Sequence, residues 1–151
     1  MPQDVSQLLR DNYQFLAKDL LNPVLELMSV ARSACGGDLD KYLILIVIGL
    51  RTAEARQTQE ISLGAVLSGE VAEYPSLYTN ARSVAESTGV PRETVRRKVA
   101  ALVAAGWVAR TGDDLGFTPF ASQQLTPARE AMFSLAGRMH LLVERARERF
   151  D

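Results

Sequence analysis

Residues 81–120 read ARSVAESTGVPRETVRRKVAALVAAGWVARTGDDLGFTPF, and this stretch decides the fold. It parses into helix, tight turn, helix and hairpin. In the first helix Val84 and Ala85 point inward, the small Ala85 letting a second helix cross close by, and Gly89 supplies the positive φ of the turn. Val90 plugs the angle between the helices, and Pro91 starts the second one. Val95, Val99, Leu102 and Val103 recur at i, i+4, i+7 and i+8 as its buried stripe. Gly106 ends that helix, and residues 107–110, 112–116 and 117–120 read as a short hairpin. Pro119 cannot donate to a ladder, so its strand is short or lies at an edge.

The outward face of the second helix points to chemistry. At about 100° per residue, Glu93, Arg97, Ala100 and Ala104 lie opposite the stripe, with Thr94 and Arg96 on its flanks. A plain solvated face carries long charged side chains throughout, whereas here arginines near the N-terminal end give way to alanines that let the helix sit close to a groove floor. Arg96 and Arg97 can reach guanine edges or phosphates, Thr94 can bond phosphate, and the helix N-terminus adds amide donors. Charge agrees with this placement. Between residues 81 and 110, Arg82, Arg92, Arg96, Arg97, Lys98 and Arg110 stand against Glu86 and Glu93, so six minus two leaves +4, and the rest of a chain of net charge −1 carries −5. Affinity for a polyanion therefore has to be local.

The block resembles the winged helix-turn-helix domains of bacterial transcriptional regulators of the MarR and GntR kinds, and the phrase PRETVRRKVAALVAAGWV carries most of the likeness, which covers about 40 residues. The resemblance implies that residues 91–105 enter the major groove of double-stranded DNA and that the hairpin is a wing contacting the backbone or minor groove. Carried over residue by residue, it makes Arg92, Glu93, Thr94, Arg96 and Arg97 the reading residues and sets Asn80 and Ala81 near phosphate. Lys98 and, at the base of the wing, Arg110 complete the expected DNA-binding set. One departure stands out: the wing tip is Asp113-Asp114, two carboxylates that phosphate repels. Such a wing is short, stays off the DNA, or faces a protein partner.

Outside this block the signals are helical. Val5, Leu8, Leu9, Phe15, Leu16 and Leu20 recur at helical spacing, Asn22-Pro23 restarts or kinks the helix, and Gly36-Gly37 ends it. Asp38 caps a third segment through the run YLILIVIGL (residues 42–50) to about residue 57, whose apolarity all round predicts a central buried helix, with a strand as the alternative. Residues 58–80 read as a loop with one short helix. Thr126-Pro127 opens a C-terminal helix to Phe150, on which Met132, Leu135, Met139, Leu142 and Ala146 fall on alternating three- and four-residue steps. That seam reads as a subunit interface, with packing inside the monomer as its alternative.

The expected architecture is thus mainly α: a winged helix-turn-helix DNA-binding domain over residues 38–125 with a small β-hairpin wing, flanked by dimerisation helices in residues 1–37 and 126–151. The expected function is sequence-specific binding of double-stranded DNA by a homodimeric transcriptional regulator. Two other readings stay open: a winged-helix module that binds protein and never DNA, and a sensor whose apolar pocket takes a small-molecule effector.

Composition narrows the field further. With 47% hydrophobic and 23% charged residues the chain suits a globular domain, and its length allows a proper core. The N-terminus MPQDVSQLLR does not read as a secretory signal, and the nine-residue apolar run falls short of the roughly 20 needed to span a bilayer, so a cytoplasmic protein without membrane contact is expected. A single cysteine, Cys35, and a single histidine, His140, build neither an internal disulfide nor a Cys/His zinc site, and no metal or other cofactor is expected. Nothing near Cys35 beyond Arg32 would lower its pKa, so an idle buried thiol is expected there. GAVLSG (residues 64–69) lacks the spacing of a phosphate loop or a nucleophile elbow, and no catalytic motif emerges.

Overall fold

The computed structural model describes residues 4–59, 62–70 and 79–150, with residues 55–59 described by backbone alone. The chain is mainly helical, with one small antiparallel hairpin. Its elements are α1 (Val5–Asp11), α2 (Tyr13–Ala34), α3 (Leu39–Gln59), α4 (Leu63–Leu67), α5 (Ala81–Thr88), α6 (Arg92–Ala104), β1 (Val108–Thr111), β2 (Asp114–Phe117), α7 (Pro119–Gln124) and α8 (Thr126–Phe150). They form two compact units, one from the described residues up to Ala31 together with those from Pro127 onward, the other from Arg32 to Thr126. The two terminal segments, read separately from the sequence, therefore belong to one unit. No helix among the described residues is long and apolar enough to cross a membrane.

In the terminal unit Asp4 caps α1, its carboxylate accepting from the Ser6 N–H at 3.3 Å. The sequence places a break at Asn22-Pro23, yet α2 runs straight through a buried Pro23 and the break lies at Asn12. Pro23 removes its own bond to the carbonyl of Asp19 and crowds that carbonyl with its ring, yet the helix continues on both sides of it. At Asn12 the side-chain amide donates to the Leu8 carbonyl at 2.9 Å and satisfies the end of α1. The core of this unit joins Leu8 and Leu16 to Leu142 and Ala146, with Leu9, Leu20, Val143 and Phe150 partly buried around them. This corrects the reading of the α8 seam. Leu142, assigned above to a subunit interface, packs inside the chain and is 7% exposed, so it leaves little surface for a partner. Leu135 and Met139 are half-buried and Met132 is exposed. At the end of α8 the Phe150 ring stacks on Phe15 with centroids 5.8 Å apart, and Arg149 lies over both rings.

In the second unit α3 packs against α5, α6 and β2. Asp38 caps α3 as its sequence predicts, accepting from the Lys41 N–H at 3.2 Å. The helix is not buried all round, however. Tyr42, Ile44, Leu45, Ile48 and Thr52 are buried, while Leu43, Ile46 and Leu50 form an exposed stripe. Of residues 58–80, the short helix α4 is present, capped by Ser62 and packed on α7, whereas residues 60, 61 and 71–78 lie outside the described residues.

The turn between α5 and α6 is built from local bonds. Asn80 caps α5 by accepting from the Ser83 N–H at 2.9 Å. Thr88 donates its hydroxyl to the Val84 carbonyl at 2.8 Å and accepts from the Val90 N–H at 3.2 Å. Gly89 closes the helix at φ +73°, its N–H on the Ala85 carbonyl. In α6 Val95, Val99 and Leu102 are buried and Val103 is half-buried. Pro91 is the cap residue just before α6 and not its first helical residue.

After α6 the hairpin pairs Val108 with Phe117, Ala109 with Gly116, Arg110 with Leu115 and Thr111 with Asp114, which leaves Gly112 and Asp113 as a two-residue loop. The second strand ends earlier than its sequence suggests. Thr118 turns the chain, donating its hydroxyl to the carbonyls of Gly106 and Trp107, and its oxygen accepts from the Ala121 N–H to cap α7. Pro119 thereby sits in the first turn of a helix, where its missing N–H costs nothing. Trp107, at the start of the hairpin, meets the edge of Phe120 at 6.5 Å.

A Cβ added at Gly89 would meet nothing within 4 Å, so the cost of Gly89→Ala is the left-handed backbone alone. Equilibrium unfolding should show a loss of about 1–2 kcal/mol for this variant, and an unchanged stability would refute the turn.

Candidate nucleic-acid interface

The N-terminal turns of α5 and α6 and the hairpin line one concave cleft of about 440 Å³. α5 contributes its cap Asn80 with Ala81 and Arg82, α6 contributes Arg92 and Arg96, and the hairpin contributes Arg110, Asp113 and Leu115. Five of the residues read from the sequence as DNA-contacting, Asn80, Ala81, Arg92, Arg96 and Arg110, thus meet at one place. Glu93, Thr94 and Arg97 do not line it: Glu93 and Arg97 are exposed on α6 and Thr94 is half-buried there.

Two backbone bonds hold the cleft together. Leu115 donates its N–H to the Thr79 carbonyl at 2.7 Å and accepts from the Thr79 N–H at 3.2 Å. Thr79 directly precedes the cap Asn80, and Leu115 pairs with Arg110 across the hairpin. The hairpin arginine is thereby set beside the first turn of α5. Sequence reasoning missed this bridge, whose partners lie 36 residues apart in the chain.

The guanidinium groups of the cleft are available. Arg82 pairs with Glu86 at 3.1 Å and Arg96 with Glu93 at 3.4 Å, but every partner in these pairs is at least 65% exposed. Exposed pairs of this kind contribute about 0–1 kcal/mol and exchange readily for a phosphate. Arg92 and Arg110 have no ion pair among the described residues. No side chain caps α6, so its first-turn amides stay open to an anion at the end where Arg92 stands. Arg82, absent from the sequence-derived set, was legible as part of the basic run beside Ala81.

Lys98 is a correction. Its ammonium bonds the Asp38 carboxylate and lies 3.9 Å from Asp40, and its side chain is only 16% exposed. It ties α6 to the start of α3 instead of joining the exposed arginines, and its charge is already met inside the protein. Partial burial pushes the Asp38 carboxyl up, but the bonds from Lys98 and from the Lys41 N–H, with the charges of both lysines, outweigh that and hold it below the usual carboxylate range. Nearby, burial reinforced by the charge of Asp38, and opposed by Lys41, pushes the Cys35 thiol up to about 11, so it is protonated at neutral pH.

Comparison with protein-family models, with curated proteins and with solved structures finds no match.

The Asp38–Lys98 pair makes a prediction with a definite sign. A carboxyl whose folded pKa is depressed stabilises the fold above its unfolded value and loses that contribution as pH falls through the folded one. Asp38→Asn keeps a capping side chain and removes the charge. It should lower stability by about 1–2 kcal/mol at neutral pH, and the gap to the wild type should narrow as pH falls below about 4. Urea unfolding over that pH range gives the result; a pH-independent gap would show that the charge of Asp38 has no part in it.

Proposed function

We propose that this chain is a winged helix-turn-helix transcriptional regulator that binds double-stranded DNA sequence-specifically as a homodimer. One observation carries the reading: Asn80, Ala81, Arg92, Arg96 and Arg110, drawn from two helix starts and a hairpin, converge on one cleft in which Arg92 and Arg110 have no ion pair among the described residues, Arg96 has only an exposed one, and the first-turn amides of α6 are open. In this reading α6 lies in the major groove, with the exposed Arg97 on its outward side facing base edges and the half-buried Thr94 on its flank near phosphate. The cleft takes the phosphate strand that borders the groove. The hairpin is the wing. Phosphate contacts position the protein and the arginines of α6 discriminate bases.

The dimer part of the proposal rests on the terminal unit, which exposes Tyr13, Phe15, Leu21, Leu25 and Met28 on α2 and Met132, Phe133 and Leu141 on α8. Apolar surface of this extent is what a subunit interface covers. A twofold dimer presents two reading heads to a pseudo-palindromic site. Sedimentation should give twice the chain mass for the wild type and a shift toward the monomer for Met132→Glu with Phe133→Glu.

An anisotropy titration against random duplex and the protein's own upstream region at several salt concentrations tests the binding. Salt-sensitive retention with preference for one fragment is the expected result. Arg92→Ala and Arg110→Ala should each reduce the slope of log K against log salt by about 0.9. Arg97→Ala should weaken the preferred site by about 1–3 kcal/mol and relax choice at one base pair. Lys98→Met should leave the slope unchanged. Absence of retention at low salt would refute DNA binding and favour a protein-binding module.

A further inference from the structure

The hairpin tip sets a carboxylate where the neighbouring charged groups of the cleft are guanidiniums. Asp113 stands in the two-residue loop, is exposed, and lines the concavity shared by Arg92, Arg96 and Arg110. It has no ion pair among the described residues, so it is not held in a salt bridge with any of them. Asp114, its neighbour, belongs to β2, pairs with Thr111 and does not line the cleft.

The consequence follows from where a phosphate strand would run. The cleft has the first turns of α5 and α6 on one side and the hairpin on the other. If α6 lies in the major groove as proposed above, the strand of phosphates bordering that groove would occupy the cleft, and the loop at Gly112 and Asp113, on the hairpin side of the cleft, would face the minor groove beyond that strand. An ionised carboxylate is an acceptor only. Against A·T pairs it meets only the acceptors adenine N3 and thymine O2, in a groove whose narrowness concentrates negative potential. A G·C pair instead offers the guanine N2 amino group as a donor. The arginines behind the tip offset the repulsion from the strand itself but not the difference between the two kinds of groove.

From this geometry we infer that Asp113 is a specificity-determining residue that turns the protein away from A·T-rich flanks and toward G·C pairs beneath the hairpin. The inference rests on the DNA-binding reading above. An arginine at a hairpin tip has the opposite preference, since narrow A·T-rich grooves attract cations.

The test uses the full chain and duplexes that share one core, taken from the fragment the wild type retains, and differ only in flanks of A-tract or G·C sequence. The wild type should bind the G·C-flanked duplex about fivefold more tightly, the scale of one unit charge a few ångströms from another in water. Asp113→Asn and Asp113→Ala should abolish or invert that ratio, chiefly by tightening binding to the A-tract duplex, and Asp114→Asn should leave the ratio as it is. A wild-type ratio near one, or a ratio that both Asp113 variants preserve, overturns the inference while DNA binding stands. Retention of neither duplex by the wild type or by any variant at low salt overturns the DNA-binding reading and this inference with it.

Discussion

Two backbone hydrogen bonds between Thr79 and Leu115 are the constraint on which the candidate interface depends. Without them the hairpin is a pair of four-residue strands joined by a tight loop, and a two-stranded ribbon of that size is marginal by itself. With them it is fastened to the residue that precedes the cap of α5, and Leu115, 2% exposed, is sealed into the interior. The backbone at Arg110, paired with Leu115, is thereby held beside the helix starts. Thr118 does the corresponding work at the open end, where its hydroxyl closes on Gly106 and Trp107.

A second restraint acts on α6 itself. The buried face of this helix is made of valine and leucine, which fixes which side turns inward but resists sliding along the axis only weakly. The Lys98 bond to the cap residue of α3 supplies a point contact at a defined height. Removing Asp38 leaves the largely buried Lys98 ammonium with only the longer contact to Asp40, and removing Lys98 leaves Asp38 with only Lys41 nearby, so the pair is costly to break even though both groups lie near the surface. Together the α6–α3 bond and the hairpin bridge orient the arginines from below, leaving their outer sides free.

The parts of this architecture that were legible in the sequence are those determined by neighbours along the chain. Asn80, Gly89 and Asp38 act through bonds spanning a few residues, and their effect can be read from residue type and spacing. The buried stripe of α6 follows from periodicity for the same reason. What escaped detection depends on partners far away. Lys98 carries the same charge as the arginines beside it, and only the arrival of Asp38, 60 positions earlier, separates it from them. Leu142 sits on a perfect interface spacing, but spacing cannot distinguish a neighbour in the same chain from one in another. The run at residues 42–50 is apolar on every side, so its pattern cannot show that Leu43, Ile46 and Leu50 face outward. At Pro119, strand and helix start were both compatible with a missing N–H, and the hydroxyl of Thr118 settles the matter.

The chain contains a single tryptophan, and the fold puts it at the root of the hairpin, half-buried and edge-on to Phe120. Indole emission responds to its solvent shell and to nearby rings. The protein therefore carries an intrinsic optical reporter at the base of an exposed hairpin loop. Any event that lifts or seats the hairpin changes the surroundings of that one indole, and stopped-flow emission, excited to the red of the absorption of the four tyrosines, can follow the movement in unlabelled protein.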